Sequence, residues 1–264
     1  MAFTTLAQII TAAKQRVSWF YTGTRSTTAW ALTSTMGVAG SLATGTLAGT
    51  STTTGVVPTH LTTGYPSIRP FGSGEKGYLV EVDFNSSLTG RISIFDQLWK
   101  GGAYAFNANT TGQTPTSYAS RVPDGTDFTS CEIWLEQVTT ATGIQNVAVT
   151  YTNESGVTGR STGTFPTAAN SVGRMWRLPL QSGDQGVQGV TGVVGSVATV
   201  GTFNILVMRR LWSGQIPVAG TGGVHGIAEI GLIELFQNSA LVMVVQPDGA
   251  AIGVPEVQLT IVNG

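Results

Sequence analysis

The chain has 264 residues, 13 basic and 14 acidic side chains and a net charge of -1, so that 10% of its residues are charged against about 25% in an ordinary soluble domain. That poverty of charge argues against a free cytosolic enzyme, and three lysines (Lys14, Lys76, Lys100) with ten scattered arginines make no basic patch for a nucleic acid held by counterion release. The 35 glycines, the abundant Thr and the 41% hydrophobic content suit strands and turns, because β-branched side chains fit a pleated surface and Gly weakens a helix.

Residues 1–22 carry the strongest helix signal. Leu6, Ile9, Ile10, Ala13, Val17 and Phe20 recur at the spacing of one apolar helical face, and Thr5 with Gln8 fits a capping box. This predicts an amphipathic helix from Thr5 to about Tyr21, which packs on its own domain or docks on a neighbour. Residues 23–76 read as an extended arm. Between Ser26 and Ile68 there is no Asp, Glu, Lys or Arg, and apolar residues such as Trp30, Leu32, Val38, Leu42 and Leu47 are thinly spread. Such a segment cannot bury enough apolar surface to order alone, yet lacks the charge that solvates disordered tails. It requires a partner surface, which fully extended it could follow for about 140 Å. The alternative is a flexible linker.

From residue 77 to 264 the period becomes two. Tyr78, Val80, Val82 and Phe84 alternate with Leu79, Glu81 and Asp83; Cys131, Ile133 and Leu135 alternate with Glu132, Trp134 and Glu136; Val147, Val149 and Tyr151 alternate with Ala148 and Thr150. Each predicts a strand with one wet face. Further strands are expected over Ile92–Phe95, Met175–Leu180, Phe203–Leu211, Leu241–Val245 and Val257–Val262, and Ile227–Leu235 suits a short helix or another strand. Gly183, Gly186, Gly189, Gly192 and Gly195 fall every third residue, but without the prolines of collagen, so a bulged, Gly-rich strand is expected. Together these patterns predict an all-β fold, an antiparallel sandwich of jelly-roll type behind a helix and an arm.

Chemistry-bearing motifs are few. No G-x-S-x-G elbow occurs. His60 and His225 have no Cys or His at metal spacing, and His225 reads as a turn or subunit-contact residue. The run Gly220–Gly226 lacks the third glycine of a dinucleotide fingerprint and the Gly-Lys-Ser/Thr of a P-loop, and reads as a loop. Pro123-Asp124-Gly125 reads as a turn rather than a calcium loop. Cys131 reads as a small core side chain. No cofactor or metal is expected. The amino terminus lacks a secretory pattern, no apolar run approaches a membrane span, and the triplets at Asn85, Asn109 and Asn153 read as chance, so a protein used without export or membrane contact is expected.

Aromatics offer the remaining surface signal. Trp99 and Tyr104 flank Gly101-Gly102, Trp134 falls on the polar side of its strand, Trp176 stands beside Arg174 and Arg177, and Trp212 follows Arg209-Arg210. Trp, Tyr and Arg are enriched at protein interfaces, which makes Trp30, Trp99, Tyr104, Trp134, Trp176, Arg209 and Trp212 subunit-contact candidates, together with Leu6, Ile9, Ile10, Val17 and Phe20 of the first segment. Trp99, Tyr104 and Trp134 serve alternatively as a glycan platform.

The segments Ile94-Phe95-Asp96-Gln97-Leu98-Trp99, Tyr151-Thr152-Asn153-Glu154-Ser155-Gly156-Val157-Thr158-Gly159-Arg160 and Leu178-Pro179-Leu180-Gln181-Ser182-Gly183-Asp184-Gln185-Gly186-Val187 resemble those of a family of virion structural proteins of tailed bacteriophages. The resemblance runs from about Gly77 to the carboxyl terminus and brings no catalytic residues. It implies a virion component assembled in the host bacterial cytoplasm, with other virion proteins and further copies of itself, as a dimer or trimer, for partners. The expectation is a non-enzymatic capsid cement or decoration protein whose arm and helix staple neighbouring subunits. The alternative is a tail or collar component that binds a receptor or glycan.

Overall fold

Gln15, Val17, Trp19 and Tyr21 all point inward at the start of the chain, a period of two that makes this stretch a strand and not the end of a helix. In the computed structural model, which describes residues 3, 5–167, 171–195 and 200–264, the elements run α1 (Leu6–Thr11), β1 (Lys14–Phe20), β2 (Thr33–Ser34), β3 (Ser51–Val56), β4 (Gly77–Ser86), β5 (Gly90–Ala105), β6 (Asn109–Thr111), β7 (Cys131–Gln137), β8 (Gln145–Asn153), β9 (Arg160–Ser161) and β10 (Phe165–Thr167). There follow β11 (Met175–Leu178), β12 (Val187–Gly195), β13 (Thr202–Ile216), β14 (Thr221–His225), α2 (Ile227–Ile230), β15 (Ile233–Leu235), β16 (Leu241–Pro247) and β17 (Pro255–Asn263). The expected first helix is therefore corrected to six residues. Its capping box at Thr5 and Gln8 is present, but β1 pairs along its whole length with β17, from Lys14 opposite Val262 to Phe20 opposite Glu256.

Among the described residues all strand pairings are antiparallel, in three sheets. A seven-stranded central sheet runs β11-β7-β13-β5-β16-β2, with β3 added on β5; a second runs β1-β17-β4-β14, with β15 on β4; a third runs β10-β8-β12-β6, with β9 on β8. Along β16, Leu241, Met243 and Val245 join Val17, Trp19, Leu79, Val82 and Leu259 in a core against the second sheet. Along β7, Cys131, Ile133 and Leu135 join Val147, Val149, Tyr151 and Val190 in a core against the third. One face of the central sheet is thus covered by the other two sheets. The alternate residues of the same strands, Trp134, Val242 and Val244, face the opposite way, into a core with Met36 and Tyr65, and Leu32 and Leu47 pack on it.

That second face explains the uncharged segment. The surface it requires is supplied by this chain's own central sheet, not by a neighbour. Its β2 pairs with β16 and its β3 with β5, and Thr33, Ser34, Thr35, Met36, Tyr65 and Ile68 are buried. The segments 1–22, 23–76 and 77–264 share sheets, so the expected boundaries cut across sheets rather than between them. β12 carries register shifts at Val187/Gly189 and Val190/Gly192, the bulges that its spaced glycines suggested. Gly220–Gly226, expected as a loop, contributes β14 on the edge of β4. Ile227–Leu235 holds both a helical turn, α2, and a strand, β15.

Candidate functional site

The twelve contact candidates separate by burial. Trp99, Tyr104, Trp134, Arg209 and Trp212 lie inside the chain, as do Ile9 and Val17, so none of these seven forms a surface contact and the Trp99, Tyr104, Trp134 glycan platform is overturned. Most of their side-chain polar atoms have partners within the fold, Arg209 Nε being the exception. Trp99 Nε1 donates to the Thr54 carbonyl at 3.0 Å, and Gln113 Nε2 donates to the Tyr104 hydroxyl at 2.8 Å. Trp134 Nε1 donates to Glu132 Oε2 at 3.0 Å, Arg209 donates to the Glu234 carbonyl at 2.7 Å beneath the Phe236 ring, and Trp212 Nε1 donates to His225 Nδ1 at 3.0 Å. Trp176 is half-buried, with the Arg174 guanidinium 5.1 Å from its ring centre.

Four candidates remain outside: Leu6 at 59% exposure, Ile10 at 62%, Phe20 at 40% and Trp30 at 66%. Leu6 and Ile10 stand four residues apart on α1, so they share one side of the helix. On the other side, Ile9 packs on Val80 and Val262, with Ile227 and Leu232 of the α2 region against them, and a cleft of about 250 Å³ lined by Ile10, Val80 and Ile227 separates the two helices. Trp30 holds a positive φ of 65°, which a bulky L-residue rarely adopts and which costs about 1–2 kcal/mol. Its N–H donates to the Pro247 carbonyl at 2.7 Å and its own carbonyl accepts from Gln246 Nε2 at 3.0 Å. The backbone is clamped while the indole is left in solvent.

Two of the three segments that carry the family resemblance meet at Asp184. Its carboxylate accepts from Arg160 Nε and NH2, each at 2.9 Å, from the Tyr151 hydroxyl at 2.7 Å and from Asn153 Nδ2 at 2.9 Å. The Arg160 guanidinium, with the Tyr151 and Asn153 donors, holds the Asp184 carboxyl well below the usual carboxylate range against the opposing effect of burial. Beside it, Glu154 Oε2 accepts from the Gln185 and Gly186 amides, both at 3.0 Å. These bonds clamp the two turns together.

The third segment carries Asp96, which sequence reasoning did not single out. Arg121 donates to Asp96 Oδ1, to the Pro58 carbonyl and, at 2.9 Å, to the Gln97 carbonyl. Asp96 also accepts from the Ser239 hydroxyl at 2.8 Å and the Ala240 amide at 2.9 Å. A signal was present in the sequence, because a carboxylate inside the apolar run Ile92–Trp99 and an amine directly after it (Asp96, Lys100) mark groups that need polar partners if that run is buried.

Lys100 lies in the wall of a cavity of about 220 Å³ between the uncharged segment and β5. Met36, Ala48, Val56, Pro58 and Tyr65 supply its apolar lining, and Thr46, Thr50, Thr62 and Thr63 line the rest with Gly49. The ammonium donates to the Thr46 carbonyl at 3.0 Å. Burial pushes the Lys100 amine below its ordinary range, partly offset by the nearby Glu136 carboxylate. Among the described residues no cluster of three or more His, Cys, Asp or Glu is placed to hold a metal, and no helix is long and apolar enough to cross a membrane.

No family model and no curated protein matches the sequence. Among solved structures, the T=1 particle derived from infectious bursal virus is similar at 11% identity and a TM-score of 0.17, over 96% of this chain and 77% of that one. The Gt strain of infectious bursal disease virus gives 10% and 0.18, over 95% and 81%, and the VP2 subviral particle of that virus 9% and 0.18, over 95% and 80%. At these TM-scores the likeness carries no argument.

Proposed function

We propose that this chain is a non-enzymatic structural protein of a tailed-phage virion, a capsid cement or decoration protein built on a jelly-roll-like sandwich. The observation that supports this reading is the exposed Trp30, kept at a strained φ by hydrogen bonds on both sides of its peptide unit. Strain held in place at an exposed residue marks a functional contact, and an aromatic side chain in solvent is the usual anchor of a protein interface. Leu6 and Ile10 on α1 add a second apolar contact. Attachment runs through these points and not through an arm reaching across neighbours, and several weak contacts per particle add through effective concentration.

Immunogold labelling of purified particles with an antibody to this chain tests the assignment, and incorporation of variants tests the contact. Labelled capsids are expected, and Trp30→Gly, which relieves the positive φ, should keep or raise the thermal midpoint while incorporation falls about tenfold, the loss of roughly 1.4 kcal/mol of contact energy. Recovery of the protein solely from the particle-free fraction overturns the assignment. Full incorporation of both Trp30→Gly and Ile10→Asp overturns the contact.

A further inference from the structure

We propose that the cavity between the uncharged segment and β5 is a binding site for a small monocarboxylic acid, with the Lys100 ammonium as its anchor. This goes beyond the virion reading and does not depend on it. Charge comes first. Lys100, Arg25 and Arg121 bring three cations to this region and Glu136 and Asp96 two carboxylates, and with Arg121 and Asp96 paired to each other one positive charge is left in surroundings that are otherwise apolar or hydroxylic. The Arg25 guanidinium is committed to the carbonyls of Ser34 and Met36. Glu136 is committed to Asn204 Nδ2 at 2.7 Å. Lys100 has three N–H donors and, among the described residues, one acceptor, the Thr46 carbonyl.

An ammonium with donors to spare on a residue only 8% exposed is costly unless an acceptor meets it. A monoanion balances the single excess charge, whereas a dianion over-balances it and a cation is repelled. The threonines of the cavity wall carry hydroxyls able to donate to a carboxylate.

Size and lining then define the rest of the ligand. A cavity of about 150 Å³ takes benzene. The 220 Å³ here accommodates a ring or short chain plus a carboxylate, which is benzoate or hexanoate in scale. Met36 and Tyr65 would cover its apolar part.

The chain has three lysines, so the side-chain Cε signals of a 13C-lysine sample of the full protein can be assigned with single variants. Titration with sodium benzoate and with sodium hexanoate should give a saturable shift confined to Lys100, with benzyl alcohol at least about tenfold weaker. Lys100→Met should abolish binding by calorimetry. Ala48→Phe, which fills the cavity and keeps the lysine, should abolish the Lys100 shift and covers the case in which Lys100→Met does not fold. Unchanged affinity in either variant, equal binding of benzyl alcohol, or no saturable Lys100 shift at millimolar acid overturns the proposal.

Discussion

Arg121 and Asp96 show at the scale of single residues how this chain uses its few charges. Both are at most 2% exposed, and between them they fasten Pro58 of the uncharged segment, the Gln97 carbonyl and the turn at Ser239. Removing one partner leaves the other charged and buried, so Arg121→Ala should cost about 3–5 kcal/mol in urea unfolding. The double change Arg121→Met, Asp96→Leu removes both charges and should recover part of that loss. If the double variant is the less stable of the two, charge pairing is not what the site contributes. Asp184 works differently, as a depressed carboxylate. Its native form titrates below the unfolded value of about 3.9, so its stabilisation is complete above that value and is lost as pH falls through the native one. The gap in thermal midpoint between the protein and Asp184→Asn should be constant from neutral pH to about 5 and narrow below about 4. A gap independent of pH would assign the effect to shape and not to charge.

At the scale of elements, the two periods of the chain overlap in one place and diverge elsewhere. Ala13 and Val17 are four apart, a spacing that serves a helix and also a strand, because four is a multiple of two. Trp19 and Tyr21, buried with Val17, decide for the strand β1. The strands of residues 77–264 were legible because polar residues alternate with β-branched and aromatic ones along them. What was not legible was the second buried face of β7, where Glu132, Trp134 and Glu136 are buried like their neighbours; a polar side chain reads as wet until the segment that covers it is known. Likewise β14 is hidden in Gly220–Gly226 because Gly222 and Gly223 are required by close approach to Phe84, not by a turn. Gly55 in β3 is the counterpart in the uncharged segment. It holds φ +64°, and a Cβ there would overlap the Trp99 indole, whereas Gly74 at φ +75° faces open space. Gly74→Ala should cost about 1–2 kcal/mol for the backbone alone. Gly55→Ala should cost clearly more by thermal unfolding and, by lifting β3, release the Trp99 Nε1 bond to Thr54. Equal losses at the two positions would mean that β3 yields freely.

At the scale of the molecule, low charge is a consequence of how the layers are stacked. A sheet covered on one face by two other sheets still has a second face, and here 43 residues without a charge, Ser26 to Ile68, close it. Their backbone polar groups are met within the chain, as where Lys100 donates to Thr46 and Gln113 to Thr52. An arm that served only a neighbour would leave a fragment lacking residues 1–68 folded and soluble. The layering implies the opposite. Such a fragment loses β1 from the edge of the second sheet and bares Phe95, Trp134, Leu206, Met208, Val242 and Val244, each at most 4% exposed in the whole chain. Burying each such side chain contributes about 1.5–3 kcal/mol, so their combined exposure rivals the 5–15 kcal/mol that holds a whole domain together. A contiguous apolar face of this kind also drives association. Residues 69–264 produced alone should therefore bind a hydrophobic dye strongly, elute as aggregates in size exclusion and lack a cooperative thermal transition, while adding residues 1–68 as a separate chain should restore solubility. A monodisperse fragment with a sharp transition would show that the second face can be closed by rearrangement of the sheet itself.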